Sequence, residues 1–217
     1  MAIDINSLIA AALLRLCQQK HLKKITIADI QKESGVSRQT FYNHFSDKFD
    51  LIRYIYETRV ISLWISPNDE NLDYYEATLS CLRSDAQYHR FLKQALSLTS
   101  LDSFSDFMYE HSRRFDRAWH QFIYGPEAMT DEMLFASDYH SGAKMRMRIN
   151  WIMEDMPVSP EELLKNCLQM RLIGLNDLLF GAADRGPYME AASRIPSVQA
   201  DLIFRRRTER NSAWQST

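Results

Sequence analysis

The stretch VSRQTFYNHFSDKFDL, Val36 to Leu51, carries three phenylalanines, a tyrosine and a histidine on a segment too polar for an ordinary buried helix. Phe41 and Phe45 lie one helical turn apart. A helix that buries them sends Gln39 and Asn43 directly outward and leaves Thr40 and Tyr42 on its flanks, with Arg38 at the exposed N-terminal end. The residues upstream say where the helices begin. In ITIADI, Ile25 to Ile30, Thr26 stands at an N-cap position with Asp29 three residues on, and Ile25 and Ile30 are placed as a hydrophobic staple. Gly35 can take the left-handed conformation that ends this short helix, and Ser37 can cap the next. Two short helices joined by a tight turn have the spacing of a helix-turn-helix unit. Ser46 is then read as the cap of a longer helix, DKFDLIRYIYETRVISLWI, which stops at Ser66-Pro67.

The outward face has the chemistry of a major-groove reader. Arg38 can pair with guanine, Gln39 with adenine, and the Thr40 methyl can meet a thymine methyl. Tyr42 and His44 suit phosphate contacts. Lys48 in the first turn of the next helix opposes the helix dipole unless an anion such as phosphate sits there, and Thr26 can present a second capped helix end to the backbone. Lys20, Lys23, Lys24, Lys32, Arg38, Lys48 and Arg53 outnumber Asp29, Glu33, Asp47 and Asp50 nearby.

This local excess matters because the whole chain is nearly neutral, with a formal charge of -2 over 217 residues. Bulk charge therefore gives no support for nucleic-acid binding. With 46% hydrophobic and 25% charged residues, six Gly and six Pro, the composition is that of a globular protein, and the lack of alternating strand-like runs favours an all-helical one. No apolar run approaches the roughly 18 residues of a membrane span. The N-terminus carries Asp4 where a secretory signal would be basic, so a cytoplasmic location is expected. Cys17, Cys81 and Cys167 have no paired spacing and are read as core thiols, not a disulfide or zinc framework. No nucleophile motif or phosphate-binding glycine loop is present, so neither an enzyme nor a cofactor is expected.

ITIADIQKESGVSRQTFYNHFSDKFDL, Ile25 to Leu51, resembles the DNA-binding segment of the TetR family of bacterial transcriptional regulators. The resemblance implies a homodimer that reads a nearly palindromic double-stranded operator with two recognition helices. It implies base contacts for Arg38, Gln39 and Thr40, and phosphate contacts for Thr26, Ser37, Tyr42, His44 and Lys48, with Asn43 on the same outward face. The chain departs from the family in having His21-Leu22 where a glycine often follows the first helix, and in lacking a basic N-terminal arm.

The first helix is expected from about 5 to 20. After Asn68 the expected helices are long: about 70–83, 86–98, 101–123, 130–155 and 160–182. In the third, Leu101, Phe104, Met108, His111, Phe115, Trp119 and Phe122 form one stripe. The fourth is read as apolar on two faces, one with Leu134, Met145, Ile149 and Ile152, the other with Met133, Ala136, His140, Ala143, Met147 and Trp151. The resemblance implies that the last two helices pair with their copies, with Leu164, Leu168, Leu172, Leu175 and Leu179 on the final one. INWIMEDMPVSPEELLKN, Ile149 to Asn166, is similar to members grouped with the dihydroxyacetone kinase regulators. The expected division is residues 1–50 for DNA binding, 51–183 for regulation and dimerisation, and 184–217 as an extension with a basic FRRRTER tail.

A small-molecule inducer would use a mostly apolar pocket with a few polar groups. The residues expected to line it are His111, Trp119, Asp138, Tyr139 and His140, with a plain methionine-rich core as the alternative. Asp116 and His120 have the spacing to chelate a metal but are expected to form a surface pair, with no metal bound. The expected function is a dimeric repressor released by a ligand. The alternative is a TetR-like coactivator or nucleoid adaptor that senses a protein partner.

Overall fold

Apolar residues at three- and four-residue spacing, punctuated by caps, fold the N-terminal part into four helices: α1 (Ile5–Gln19), α2 (Ile27–Ser34), α3 (Arg38–His44) and α4 (Lys48–Ile55). The computed structural model describes residues 4–61, 74–98 and 104–180. It divides into two compact units, Met1–Asn166 and Cys167–Thr217. All described elements are helical, as expected, and none is long and apolar enough to cross a membrane. The FRRRTER tail lies outside the described residues.

Asp4 caps α1 by accepting from the Asn6 N–H at 3.1 Å. Ile9, Leu13 and Cys17 of α1, Ile30 of α2, Phe41 of α3, Phe45, and Leu51 and Ile55 of α4 are all buried. Burying each larger side chain of this set contributes about 1.5–3 kcal/mol. The His21-Leu22 segment, where the family pattern often has glycine, forms a 3-10 turn at Leu22–Lys24, with Leu22 fully buried.

The helix expected to start at a Ser46 cap is built differently. Asp47 is the cap, its carboxylate accepting from the Asp50 N–H at 2.8 Å, while the Ser46 N–H and hydroxyl donate to the Asp50 carboxylate at 3.0 and 3.2 Å. A carboxylate accepts more strongly than a hydroxyl, so position 47 wins the cap. Beyond Ile55 the chain winds as a π-helix over Tyr56–Val60, with the Ile61 N–H reaching the Tyr56 carbonyl at 3.0 Å. The wider turn buries both Tyr56 and Val60. Tyr56 meets Phe104 and Phe107 edge-on, and the Arg148 guanidinium lies 5.8 Å from its ring centre.

The later helices are α5 (Tyr74–Gln87), α6 (His89–Leu96), α7 (Phe104–Tyr124), α8 (Asp131–Met153) and α9 (Pro160–Phe180). The break expected at Ser84-Asp85 is absent, because Asp85 is buried within α5 as one half of an ion pair. Gly125, at φ +81°, turns the chain between α7 and α8 in a conformation that L side chains rarely adopt. The two helices then run antiparallel, with His120 against Ser137 at 3.0 Å and Asp116 against Ser141 at 2.5 Å.

These contacts correct two expectations. The buried face of α8 is Ser137, Ser141, Met145, Arg148, Trp151 and Ile152, not either of the apolar stripes, and Phe135 and Tyr139 are 73% and 67% exposed. Asp116 and His120 are buried rather than on the surface. Asp116 accepts from Lys144 at 2.6 and 2.8 Å and from the Tyr74 hydroxyl at 3.0 Å. Burial works to raise its carboxyl, but Lys144, Ser141 and Tyr74 outweigh that and hold it below the usual range. Periodicity missed both features because the polar groups on these faces are buried as matched pairs. The α7 stripe holds for Phe104, Met108, Phe115 and Trp119, whereas Phe122 emerges at 56% exposure.

The most deeply buried ion pair among the described residues joins α8 to α5. The Arg148 Nε and its terminal nitrogen donate to the two Asp85 oxygens at 2.5 and 2.6 Å, with side chains 5% and 0% exposed. Although burial disfavours the Arg148 charge, Asp85 raises the guanidinium pKa well above its ordinary value. Burial also pushes the nearby Cys81 thiol up to about 12. Replacing one partner strands the other charge in the core. Arg148→Met is expected to lower unfolding free energy by about 3–5 kcal/mol, and adding Asp85→Leu to recover most of the loss, as measured by urea denaturation.

Candidate nucleic-acid interface

The helix-turn-helix is held by reciprocal caps. The Thr26 Oγ accepts from the Asp29 N–H at 3.2 Å, while the Asp29 carboxylate accepts from the Thr26 N–H and hydroxyl, each at 2.7 Å. The Lys20 ammonium joins the same carboxylate at 2.7 Å, and with Thr26 it keeps that group well below the usual carboxylate range. Gly35 ends α2 at φ +74°, its N–H on the Gln31 carbonyl at 2.8 Å. Nothing lies near the position its Cβ would occupy, so the requirement there is conformational. Ser37 caps α3 by accepting from the Thr40 N–H at 3.0 Å, and its hydroxyl shares a hydrogen bond with the Thr40 hydroxyl at 2.8 Å.

Phe41 and Phe45 are buried beneath α3, so its other side is free to face a ligand. Thr26, Ser37, Arg38, Gln39, Tyr42, Asn43 and His44 are exposed, and Thr40 is half-buried. The Arg38 guanidinium lies 5.5 Å from the Tyr42 ring centre, and the Gln39 amide donates to the Asn43 amide oxygen at 2.9 Å. These contacts order the polar groups before any partner arrives. The basic excess is smaller than composition suggests, because Lys20 is paired with Asp29 and Arg53 lies over Phe107 at 5.4 Å. Lys23, Lys24, Lys32 and Arg38 remain exposed.

Lys48 is placed in a way that its helix position did not foretell. Its ammonium donates to the Leu22 carbonyl at 3.0 Å and the Ile25 carbonyl at 2.9 Å, and burial lowers its pKa. Two further residues that sequence reasoning missed reach the same region from α6. Gln94 accepts from the Leu22 N–H at 2.5 Å and donates to the Cys17 carbonyl at 3.3 Å, which also accepts from the Arg90 Nε at 2.9 Å. Such long-range side-chain to backbone bonds leave no periodic trace in a sequence.

The residues expected to line an inducer pocket are not all brought together. His111 is half-buried on α7, its ring 3.1 Å from the Glu57 carboxylate, and burial lowers its pKa against the pull of Glu57. Trp119 is buried on the same helix. Asp138 is half-buried and held by a two-pronged contact with Arg117 at 2.8 and 2.5 Å. Tyr139 points outward, with the half-buried His140 ring 5.7 Å away. The buried Ser112 hydroxyl and Trp119 indole N–H have no hydrogen-bond partner among the described residues.

Comparison with known proteins agrees with this architecture. Residues 8–55 match the family model described as "Bacterial regulatory proteins, tetR family", and residues 73–171 match "Transcriptional regulator C-terminal region". The HTH-type dhaKLM operon transcriptional activator DhaS of Lactococcus lactis is 32% identical over 74 residues, which is 34% of this chain and 37% of that protein. The match thus spans well under half the length of this curated relative. Among solved structures, the dihydroxyacetone kinase operon activator DhaS aligns with a TM-score of 0.60 at 23% identity, over 79% of this chain and 96% of the other. The fatty acid degradation regulator FadR from Bacillus halodurans aligns with a TM-score of 0.56 at 18% identity, over 81% and 98%. At these identities the structural matches speak to the fold.

Two glycines test the local reading. Gly35→Ala is expected to destabilise by about 1–2 kcal/mol because of its left-handed backbone. Gly142→Ala in α8, where the new Cβ would meet Tyr109 at an ordinary 3.7 Å, should instead stabilise by about 0.5–1 kcal/mol. Both are read from urea unfolding curves.

Proposed function

We propose, from the fact that this chain belongs to the TetR family of bacterial regulatory proteins, that it regulates transcription as a homodimer bound to a palindromic operator. The observation that carries the proposal is the start of α3, where Arg38 and Gln39 are exposed and Thr40 half-buried, seated on the buried Phe41 and Phe45. In this reading residues 1–50 bind DNA. Arg38, Gln39 and Thr40 meet base edges, Thr26, Ser37, Tyr42 and His44 hold phosphates, and Asn43 steadies Gln39.

Residues 51–183 form the regulatory and dimerising part, and 184–217 an extension. Support for a dimer comes from the outward side of α8, where Phe135, Tyr139, Ala143 and Met147 recur every four residues and are all exposed. A second copy of the same stripe would cover it as an isologous interface. Support for a small-molecule effector comes from the buried Ser112 and Trp119 donors, which have no partner among the described residues, since buried polar groups without partners are rare. Repression by promoter occupancy is the expected sign. DhaS, named above, is an activator, so a transcription assay with an adjacent promoter decides between the two.

A second reading, a coactivator or nucleoid adaptor that senses a protein, draws support from the exposed Phe122, Ile123 and Tyr124 at the end of α7. Purification from the host separates the two, because a stoichiometric protein partner favours this reading and a bound metabolite the first.

The DNA-binding proposal is tested with a duplex selected from a random pool. Arg38→Ala with Tyr42→Ala is expected to weaken binding at least about tenfold, as loss of a base contact does, while sedimentation still reports a dimer. Unchanged affinity in that variant would overturn the assignment.

A further inference from the structure

We propose that Lys48 serves DNA binding as a positioning residue from inside the protein, clamping the Leu22–Lys24 turn to the first turn of α4, while Gln94 of α6 holds the other backbone group of Leu22. This rests on the DNA-binding reading above and departs from the phosphate contact that the family resemblance implies for Lys48.

The end of α1 leaves carbonyls without intrahelical partners, and the short turn that follows frees more. An ammonium has three donors and no acceptor. Lys48 spends two of them on the Leu22 and Ile25 carbonyls, at 3.0 and 2.9 Å. Withdrawing it toward a phosphate would give up both contacts. Ile25 immediately precedes Thr26, the cap of α2. One side chain on α4 therefore fixes where α2 begins, and α3 lies between those two helices in the chain.

Gln94 completes the arrangement from the opposite side. Its amide oxygen takes the Leu22 N–H and its amide nitrogen gives to the Cys17 carbonyl, so only one orientation of the amide satisfies both. Both backbone polar groups of Leu22 are thus held by side chains from different helices, the carbonyl also accepting from the Ile25 N–H at 3.2 Å, and the Leu22 side chain is fully buried. The turn is set by three independent constraints. The first turn of α4 and the last turn of α6 meet at this residue, beside their further contacts with the Ile25 and Cys17 carbonyls.

The slope of binding against salt separates positioning from phosphate contact, because each phosphate neutralised contributes about 0.9 to the slope of log K against log salt concentration. Dissociation constants of the wild type and Lys48→Met for the selected duplex are measured over a salt series. The expected result is binding about tenfold weaker, as for loss of a charge-assisted hydrogen bond, with an unchanged slope. A slope shallower by about 0.9, or an unchanged affinity, overturns the proposal. Nitrogen-15 NMR of lysine ammonium groups in the wild-type dimer gives a test that needs no variant. The Lys48 signal is expected to be hydrogen-bonded in the free protein and to stay in place when DNA is added; a shift to a phosphate-contacting state overturns the proposal. If the wild type shows no salt-dependent binding to any duplex, it is the DNA-binding reading that fails.

Discussion

The Asp85–Arg148 pair is the constraint on which the arrangement of α5 and α8 depends. Each ion loses hydration worth several kcal/mol on burial, and only close, two-pronged contact offsets that loss. A bidentate geometry of 2.5 and 2.6 Å tolerates little sliding or rotation. With α8 fixed in this way, Lys144 falls one turn away beside Asp116, and Ser141 and Ser137 fall opposite Asp116 and His120. The polar groups take the inside, so large apolar residues such as Phe135 and Met147 are left outside. An outward apolar face on a helix with a polar inner stripe is thereby a consequence of the ion pair, not an independent feature.

The same arginine touches the joint with the N-terminal helices. Tyr56, the first residue of the π-turn after α4, lies against the Arg148 guanidinium and the aromatic end of α7. Single-turn π segments within α-helices are uncommon and often mark functional positions. Here the turn lets Tyr56 and Val60 both face inward. Combined with the Gln94 and Arg90 bonds from α6, it gives the later helices two separate holds on α1 to α4, one through the core and one through backbone groups.

Much of the N-terminal architecture was legible because it is local. Thr26 and Asp29, Gly35, and Ser37 with Thr40 each act within three or four residues, the range over which sequence spacing reports structure directly. Phe41 and Phe45 announced the buried face for the same reason. The miss at Ser46 is instructive: two adjacent residues could cap, and the stronger acceptor at Asp47 decided it. In the C-terminal helices hydrophobic spacing misled, because Ser137, Ser141 and Arg148 are buried with partners 17 to 63 residues away. A charged residue that finds its counter-ion across a core cannot be distinguished by pattern from one that faces water. The inward turn of Lys48, toward carbonyls 23 and 26 residues back, was invisible for the same reason.

The amide pair of Gln39 and Asn43 carries a consequence for recognition. One N–H of the Gln39 amide donates to the Asn43 oxygen at 2.9 Å, which occupies one of the four hydrogen-bonding sites of the Gln39 amide. In the proposed reading, a base edge that engages Gln39 meets an amide whose orientation Asn43 has already set. Under that reading Asn43 fixes the direction in which Gln39 presents its remaining donor and acceptor, and a base whose groups lie elsewhere is disfavoured. Part of the selectivity of such a helix would then be set before DNA arrives, by an amide that is already ordered rather than one that has to be ordered on binding.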